Sequence, residues 1–180
     1  MAIDVSCESQ VDDSQFREAM SRLGAGVTII STDGPGGRAG ITATAVASVT
    51  NEPPTLLICI NREAQLFPVL MRNGGFCVNI LSASQSELAE IFAGRKSIPQ
   101  DARFGHGAWR SLQTGLPALT DCRAAIGCRI SAATEIGTHS TIFGRIVELR
   151  FDRLVPPLLY VDRAYHTVRD QLASMDSGEG

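Results

Sequence analysis

The chain has 180 residues, of which 44% are hydrophobic and 19% charged, the balance of a folded domain rather than of a disordered chain. Its formal net charge is −3, and its fifteen arginines and single lysine form no basic cluster that would hold a nucleic-acid backbone. The longest purely apolar run, Leu56–Ile60, is far shorter than the roughly 20 residues of a membrane span. These features predict no nucleic-acid partner and no membrane insertion.

Cysteine usage bears on the cellular compartment. The five cysteines are odd in number and form no CxxC pair, so neither a disulfide framework nor a zinc site is predicted. Residues 1–13 have neither the basic nor the apolar region of a secretory signal. We therefore expect a cytoplasmic protein.

The first part of the chain predicts a helix followed by a β-hairpin. The acidic pair Asp12-Asp13 suits a helix start, and Phe16, Met20 and Leu23 follow at helical spacing. Two β-branched runs, joined by a glycine-rich turn, then predict paired strands at Val27–Thr32 and Ala39–Thr50.

The rest of the chain alternates strands with a few short helices. Leu56–Ile60 is interpreted as a strand buried on both faces, and Ser84 with Glu87 as a capping box that opens a helix. The further predicted elements are a helix over Ala64–Arg72, a strand over Phe76–Leu81, a helix over Ser84–Ala93, a mobile loop over 94–108, and strands over Ala124–Thr134, Ser140–Arg150 and Leu158–Val161. About seven short strands indicate an antiparallel barrel or a related β-dominated fold. We interpret residues 1–11 as a flexible tail, 12–170 as one domain and 171–180 as a frayed end.

One candidate binding segment is Gly40–Thr50, whose side chains are almost all small or hydroxylated. Small side chains let a flat ligand approach the backbone, so that N–H and C=O groups can contact its edge. The alternative is an ordinary strand facing a closely packed neighbour, since Thr and Val are strand formers.

Two further candidates are polar groups at predicted strand ends. Asn61-Arg62 directly follows the apolar strand, and the forked guanidinium of Arg62 suits a phosphate; the alternative is a solvated strand end. His139 stands among small and hydroxylated neighbours, where it can donate a hydrogen bond or move a proton; the alternative is a structural histidine. The three histidines are scattered without ligand spacing, so no metal site is predicted.

Taken together, these segments resemble the flavin reductase-like family, over roughly residues 14–168. The runs that carry the resemblance are Phe16-Arg17, Gly26-Val27-Thr28, Gly40–Ala45, Ser48-Val49-Thr50, Pro53-Pro54, Asn61-Arg62, Phe76–Leu81, Phe92–Arg95, Phe104, Trp109, Gly137–Ser140, Pro157–Tyr160 and Tyr165-His166. The resemblance implies an FMN-binding split barrel, an antiparallel barrel with a few peripheral helices.

The resemblance also implies residue roles. Flavin, as FMN or FAD, is expected at Thr42, Ala43, Thr44, Ala45, Ser48, Asn61, Arg62, Phe92, Gly94, Arg95 and Lys96, with the ribityl phosphate near Asn61-Arg62 and Gly94–Lys96. NADH, with NADPH as the alternative, is expected at His139 and Tyr165, with His139 in the catalytic role. The family often has Ser or Thr shortly after the Asn-Arg pair, whereas Glu63-Ala64-Gln65 stand here, which predicts weaker phosphate binding.

The function so implied is an NAD(P)H:flavin oxidoreductase that supplies reduced flavin to a partner monooxygenase. Two alternatives stay open from the sequence: a flavoprotein of the same fold that reduces another acceptor, such as a cobalt corrinoid, and a non-catalytic flavin-binding electron carrier. A homodimer is expected, because a flavin cleft in a small barrel is shallow and because Leu66, Phe67 and Leu70 need cover.

Overall fold

The computed structural model describes residues 11–151 and 155–168. Within them the chain forms α-helices at Asp13–Ser21 (α1), Leu66–Asn73 (α2) and Ser86–Phe92 (α3), and short 3₁₀ helices at Ala83–Gln85 and Ala102–Gly105. The strands are Ala25–Gly26 (β1), Thr28–Thr32 (β2), Ala39–Ala43 (β3), Val46–Asn51 (β4), Pro54–Asn61 (β5), Gly75–Ile80 (β6), Trp109–Ser111 (β7), Pro117–Leu119 (β8), Ala124–Ile136 (β9), His139–Phe151 (β10), Leu158–Val161 (β11) and Ala164–Thr167 (β12).

Seven strands form one sheet in the order β3-β2-β6-β9-β10-β5-β4, with every neighbouring pair antiparallel. Its two edge strands, β3 and β4, are consecutive in the chain and are separated by Thr44 and Ala45 alone. The span from Ala43 to Val46 is at most about 10 Å, so the two edges must lie close together. The sheet therefore curls round on itself, which agrees with the predicted antiparallel barrel.

Strands β2 and β6 lie at the centre of the molecule, with core on both faces. Ile30, Phe76 and Val78 face the barrel interior, which α2 closes with Leu66 and Leu70. On the opposite face of the same strands, Ile29 and Cys77 pack against α3 and the β7–β8 region. Successive residues of a strand point to opposite faces, so both faces of these two strands are buried, with Asn79 as the buried amide of β6.

Two strand predictions need correction. Ala39–Thr50 is not one strand, because the chain bends at Thr44-Ala45; β3 pairs with β2, whereas β4 pairs with β5. Nor is Leu56–Ile60 buried on both faces: buried residues alternate along β5 with the half-buried Leu57 and Cys59 on its outer face. Within the seven-stranded sheet, the strands that are buried on both faces are β2 and β6.

The helix and loop predictions around α3 also change. The capping box is formed two residues early, by Ser82 and Gln85 around the 3₁₀ turn, and not by Ser84 and Glu87. The segment over 94–108, predicted as a mobile loop, contains no strand or α-helix and one 3₁₀ helix; most of its residues are exposed, and Ile98 and Phe104 pack against the core. Its Phe104 forms a ring cluster with Phe92 and Trp109, with centroids 4.9–5.5 Å apart.

The sequence argument for a dimer interface on α2 is wrong. Leu66 and Leu70 are completely buried beneath the barrel, and Phe67 packs against the same core. The predicted tail over 1–11 and frayed end over 171–180 lie outside the described residues, except for Val11. No helix within 11–151 and 155–168 has the length and apolar character to cross a membrane.

The buried amide of Asn79 joins three strands. Its Nδ2 donates to the Ile29 carbonyl at 3.0 Å and to Ser31 Oγ at 2.9 Å on β2. Its Oδ1 accepts from the Leu119 amide on β8 at 2.7 Å. The side chain is completely buried, so each of these bonds is made away from water.

Replacing Asn79 by Leu should therefore destabilise the protein. The change removes all three bonds and leaves a buried amide and carbonyl short of partners, at a cost of about 1–3 kcal/mol for each group. For a chain of this length a total of about 2 kcal/mol or more lowers the Tm by roughly 4–8 °C. Calorimetry on Asn79→Leu measures this loss. The matched control is Asn51→Leu at the exposed end of β4; equal Tm values for the two variants would contradict the account.

Candidate functional site

The connection between β3 and β4 exposes backbone that no strand pairs. The Ala43 carbonyl accepts from Thr28 Oγ1 at 2.7 Å, and the Ala45 carbonyl accepts from the Cys59 amide at 3.1 Å. The Thr44 carbonyl accepts from the Val46 amide at 2.9 Å. Among the described residues, the amides of Thr44 and Ala45 meet no acceptor, and both residues are exposed. We call Thr42–Ala45 the barrel corner; it presents two successive N–H donors to solvent.

Small side chains leave the face of the corner open. The Thr42 hydroxyl donates to the Ala89 carbonyl of α3 at 2.6 Å. Its proton is therefore already used, and a ligand would contact the methyl group of this side chain. Ser48 lies farther along, exposed on the edge strand β4. A flat ligand with acceptors along one edge fits this arrangement, because it can lie over small residues while its edge meets the free amides.

The end of β5 lies beside the corner. Asn61 Oδ1 accepts from the Glu63 amide at 2.9 Å, which fixes the turn that follows the strand. Asn61 is also opposite His139 in the β5–β10 ladder. Cys59, bonded to the corner, precedes Asn61 by two residues, or roughly 7 Å of strand. Asn61 is therefore adjacent to His139, and the corner lies on the other side of β5 near the same end of that strand.

His139 begins β10 directly after a two-residue hairpin turn. Gly137, the first turn residue, has φ of +56°, and Ile136 pairs with His139 across the turn. Glycine at the first central position, with positive φ, is typical of the II′ turn that matches strand twist. The imidazole is exposed, and its Nδ1 lies 2.9 Å from Thr138 Oγ1. The ring is thus held on one nitrogen, while the other nitrogen faces away from that bond.

Arg62 contacts the same hairpin. Its Nη1 lies 2.7 Å from Glu135 Oε2, and its Nη2 donates to the Gly137 carbonyl at 2.7 Å. Its main-chain amide donates to the Thr138 carbonyl at 3.0 Å. We expected this guanidinium to bind phosphate; in the structure both of its terminal nitrogens contact the hairpin.

A second group of predicted residues lies at the end of α3. Gly94, with φ of +76°, ends the helix in a Schellman motif, in which the Arg95 amide reaches the Glu90 carbonyl at 3.3 Å. Arg95 forms an ion pair with Glu90 at 3.3 Å, and Lys96 forms one with Glu87 at 2.7 Å. The Lys96 hydrogen bond and charge lower the pKa of the Glu87 carboxyl. The Tyr160 hydroxyl, bonded to Arg95, raises the pKa of that guanidinium.

Tyr165 borders this second group. Its ring packs edge to face against Tyr160 with centroids 5.4 Å apart, and burial raises the pKa of its hydroxyl. With Lys96 and Glu87 it lines a surface cavity of about 330 Å³. The corner is connected to this group through Thr42 and α3, so the predicted site residues fall on two sides of the corner.

Phe92 is a predicted flavin residue whose side chain has no exposed surface in this structure. It is completely buried in the aromatic cluster with Phe104 and Trp109. Its ring lies against Gly40 of β3, the strand that leads into the barrel corner. Sequence reasoning in turn missed Glu135, the partner of Arg62, and the bond from Thr138 to His139. Glu135 is 73 residues from Arg62, so only the strand register reveals the pair.

A larger cavity of the described residues lies elsewhere. It has a volume of about 680 Å³ and lies around Ser82, Arg110, Thr120 and Asp121, away from the corner and from His139. We place the candidate site at this end of the barrel because the free amides of the corner and the exposed His139 flank the same end of β5, whereas the cavity contains no predicted site residue. No group of three metal-ligating side chains that could hold a metal ion occurs within the described ranges.

Comparison with known proteins identifies relatives over most of the chain. The sequence profile of the flavin reductase like domain matches residues 20–169. The FMN reductase (NADH) RutF of Bradyrhizobium diazoefficiens is 48% identical over 158 residues, which are 88% of this chain and 87% of its own. Flavin reductase PheA2 superposes with a TM-score of 0.80 at 31% identity, over 88% of this chain and 99% of its own. BorF, the flavin reductase component of a bacterial two-component tryptophan halogenase, gives a TM-score of 0.82 at 26% identity, over 89% and 100%.

The predicted antiparallel split barrel is confirmed by these structures, and the predicted class of enzyme, a flavin reductase, is confirmed by the relatives. The profile and the relatives cover the barrel, the corner and the His139 hairpin alike. The chain belongs to the flavin reductase like domain family.

Proposed function

We propose that this protein is an NADH:FMN oxidoreductase, with FAD and NADPH as poorer substrates. The observation that carries the proposal is that two free main-chain N–H groups, at Thr44 and Ala45, and the exposed imidazole of His139 flank the same end of β5. Relatives named FMN reductase (NADH) support FMN and NADH over the other pair. When bound, the flavin supplies the hydride acceptor and NADH the donor.

The barrel corner fits the edge of an isoalloxazine ring. The amides of Thr44 and Ala45 donate toward that edge, where negative charge grows as hydride arrives, and fixed donors need no reorganisation. Thr42, Ala43 and Ala45 have small side chains, so the ring can lie close to the backbone and keep its other face free. No side chain of the corner needs to take part in covalent chemistry.

His139 orients the nicotinamide. Its bond to Thr138 fixes one ring nitrogen, which leaves the other free to meet a polar group of the substrate. Orientation at near-contact distance supplies much of the acceleration in a hydride transfer between two bound partners. Tyr165 lies on the α3 side of the corner, where it can contact the rest of the dinucleotide.

The flavin is held weakly enough to exchange. Each cation predicted to meet its phosphate already has a carboxylate neighbour: Arg62 has Glu135, Arg95 has Glu90 and Lys96 has Glu87. A phosphate must share these cations, so it gains less than it would from unpaired ones. Exchange suits a reductase that hands reduced flavin to a separate flavin-dependent monooxygenase. The likeness to BorF, a component of a two-component system, supports that role.

A homodimer completes the site. Ala47, Leu57, Phe143 and Ala132 are paired in register across β4, β5, β10 and β9, so they form one row on the outer face of the barrel. Leu57 and Phe143 are half-buried and Ala47 and Ala132 are exposed, so the row is apolar without cover within the described chain. Ala47 of this row is two residues beyond Ala45 of the barrel corner. A second copy of the chain that packs on this row would cover the open side of the flavin site.

Steady-state turnover tests the activity. NADH oxidation, measured by loss of its absorbance, should need added FMN, with kcat/KM highest for the NADH and FMN pair. Absence of turnover with all four combinations of NADH or NADPH with FMN or FAD would contradict the proposal and favour a non-catalytic flavin carrier.

Replacing His139 should damage the nicotinamide step alone. His139→Ala should raise the KM for NADH, or slow flavin reduction in stopped flow, by roughly ten- to a hundredfold, as for one lost polar contact. The ring is exposed, so the Tm and the FMN affinity should hardly change. In His139→Asn, recovered activity indicates positioning, and continued loss indicates proton transfer. Wild-type rate and KM in His139→Ala would remove His139 from the site.

A charge in the apolar row should break the dimer and weaken flavin binding together. Leu57→Asp places a carboxylate in the proposed interface, and light scattering should then report a monomer with a higher Kd for FMN. The control is Leu149→Asp, at an exposed leucine on β10 outside the row. A wild-type protein that is monomeric at micromolar concentration and fully active would refute the dimer.

A further inference from the structure

The hairpin that carries His139 extends beyond the strand that supports it. The β5–β10 ladder ends with the pair Asn61 and His139, so Gly137 and Thr138 lie past its last partner. Within the described chain the tip is covered by no core, and Ile136, Gly137 and Thr138 are all exposed. A two-residue turn in this position is free to bend unless another group fixes it.

Arg62 supplies that fixation through three separate contacts. The guanidinium is 2.7 Å from Glu135 on one side of the tip and 2.7 Å from the Gly137 carbonyl at its apex. The main-chain amide of the same residue bonds the Thr138 carbonyl. Arg62 therefore contacts the hairpin at residues 135, 137 and 138, and His139 follows directly after Thr138.

We propose that Arg62 and Glu135 form a clamp that positions the Gly137–Thr138 tip, so that His139 meets the nicotinamide, and that Arg62 acts through His139 rather than as a phosphate ligand. This inference rests on the proposed function. Arg62 and Glu135 are positioning residues, since neither needs to touch a substrate.

The charge of Glu135 distinguishes the positioning role of Arg62 from a role in binding phosphate. Glu135 lies against the guanidinium that a phosphate would approach, so its negative charge opposes the phosphate. If Arg62 binds phosphate, removing the Glu135 charge should tighten FMN binding. If Arg62 is a clamp, the same change should loosen the tip and leave FMN binding as it was. The two roles therefore predict opposite responses to Glu135→Gln.

Both side chains are well exposed, at 40% for Arg62 and 62% for Glu135, so the pair adds little to overall stability. Variants should fold with the wild-type Tm. The effect is expected locally, as faster amide hydrogen exchange over residues 136–140, and functionally, in the NADH parameters.

The test measures Arg62→Ala, Glu135→Gln, their double variant, and the charge exchange Arg62→Glu with Glu135→Arg. The clamp predicts that each single change raises the KM for NADH by about two- to tenfold, and that the double variant is no worse than Arg62→Ala. The charge exchange should recover part of the loss. FMN and riboflavin, which lacks the phosphate, should keep their wild-type Kd values. Amide exchange over 136–140 should rise in step with the KM.

A matched control is Asp33→Asn, which neutralises another exposed arginine pair, Arg38 with Asp33, at the same 2.7 Å distance and away from the site. It should leave the KM for NADH and the exchange of 136–140 unchanged. Tighter FMN binding in Glu135→Gln, or a loss of FMN but not riboflavin affinity in Arg62→Ala, overturns the clamp. Wild-type turnover with an unchanged KM in both single variants refutes only the clamp, whereas a wild type without turnover refutes the proposed function.

Discussion

The two-residue connection between β3 and β4 is the constraint on which the site depends. These strands are the two edges of a seven-stranded sheet, and only Thr44 and Ala45 separate them. Edges joined so closely must meet, which curls the sheet and brings the end of β5 to the corner through the Cys59 amide. The same connection leaves two amides without strand partners, because residues that pass from one edge to the other belong to neither ladder. The short Thr44-Ala45 connection thus both closes the barrel and leaves the two amide donors of the site unpaired.

The proposal that flavin exchanges rests on the charges of the residues predicted to bind its phosphate. Each nearby cation predicted to bind phosphate is shared with a carboxylate, and these side chains are partly exposed. Exposed pairs of this kind contribute little on their own. Affinity must come mainly from the backbone and from stacking, which a second subunit over the Leu57 and Phe143 row would strengthen. A loosely held flavin is what a diffusing supply of reduced flavin requires.

Most predictions of local structure were correct where residues close together in the chain determine it. The helix start at Asp12-Asp13 and the β-branched run of β2 each carry their own signal, whereas the capping box predicted at Ser84 and Glu87 is formed by Ser82 and Gln85. Predictions failed where long-range packing decides. The bend at Thr44-Ala45 carries no proline or glycine, Leu66 and Leu70 point inward because the barrel end needs closing, and Phe92 is drawn into a cluster with rings from the following segment. The pairing of Arg62 with Glu135 depends on strand register, which no short motif encodes.

Amide hydrogen exchange with FMN and NAD⁺ bound locates the site directly. If the corner and the hairpin hold the two ligands, exchange should slow over residues 42–46 with FMN and over 137–140 when NAD⁺ is added. The segments that line the large cavity, 82–84 and 120–122, should exchange as in the free protein. Protection of the cavity segments, with no change at the corner, would contradict the account and move the flavin to the other end of the molecule.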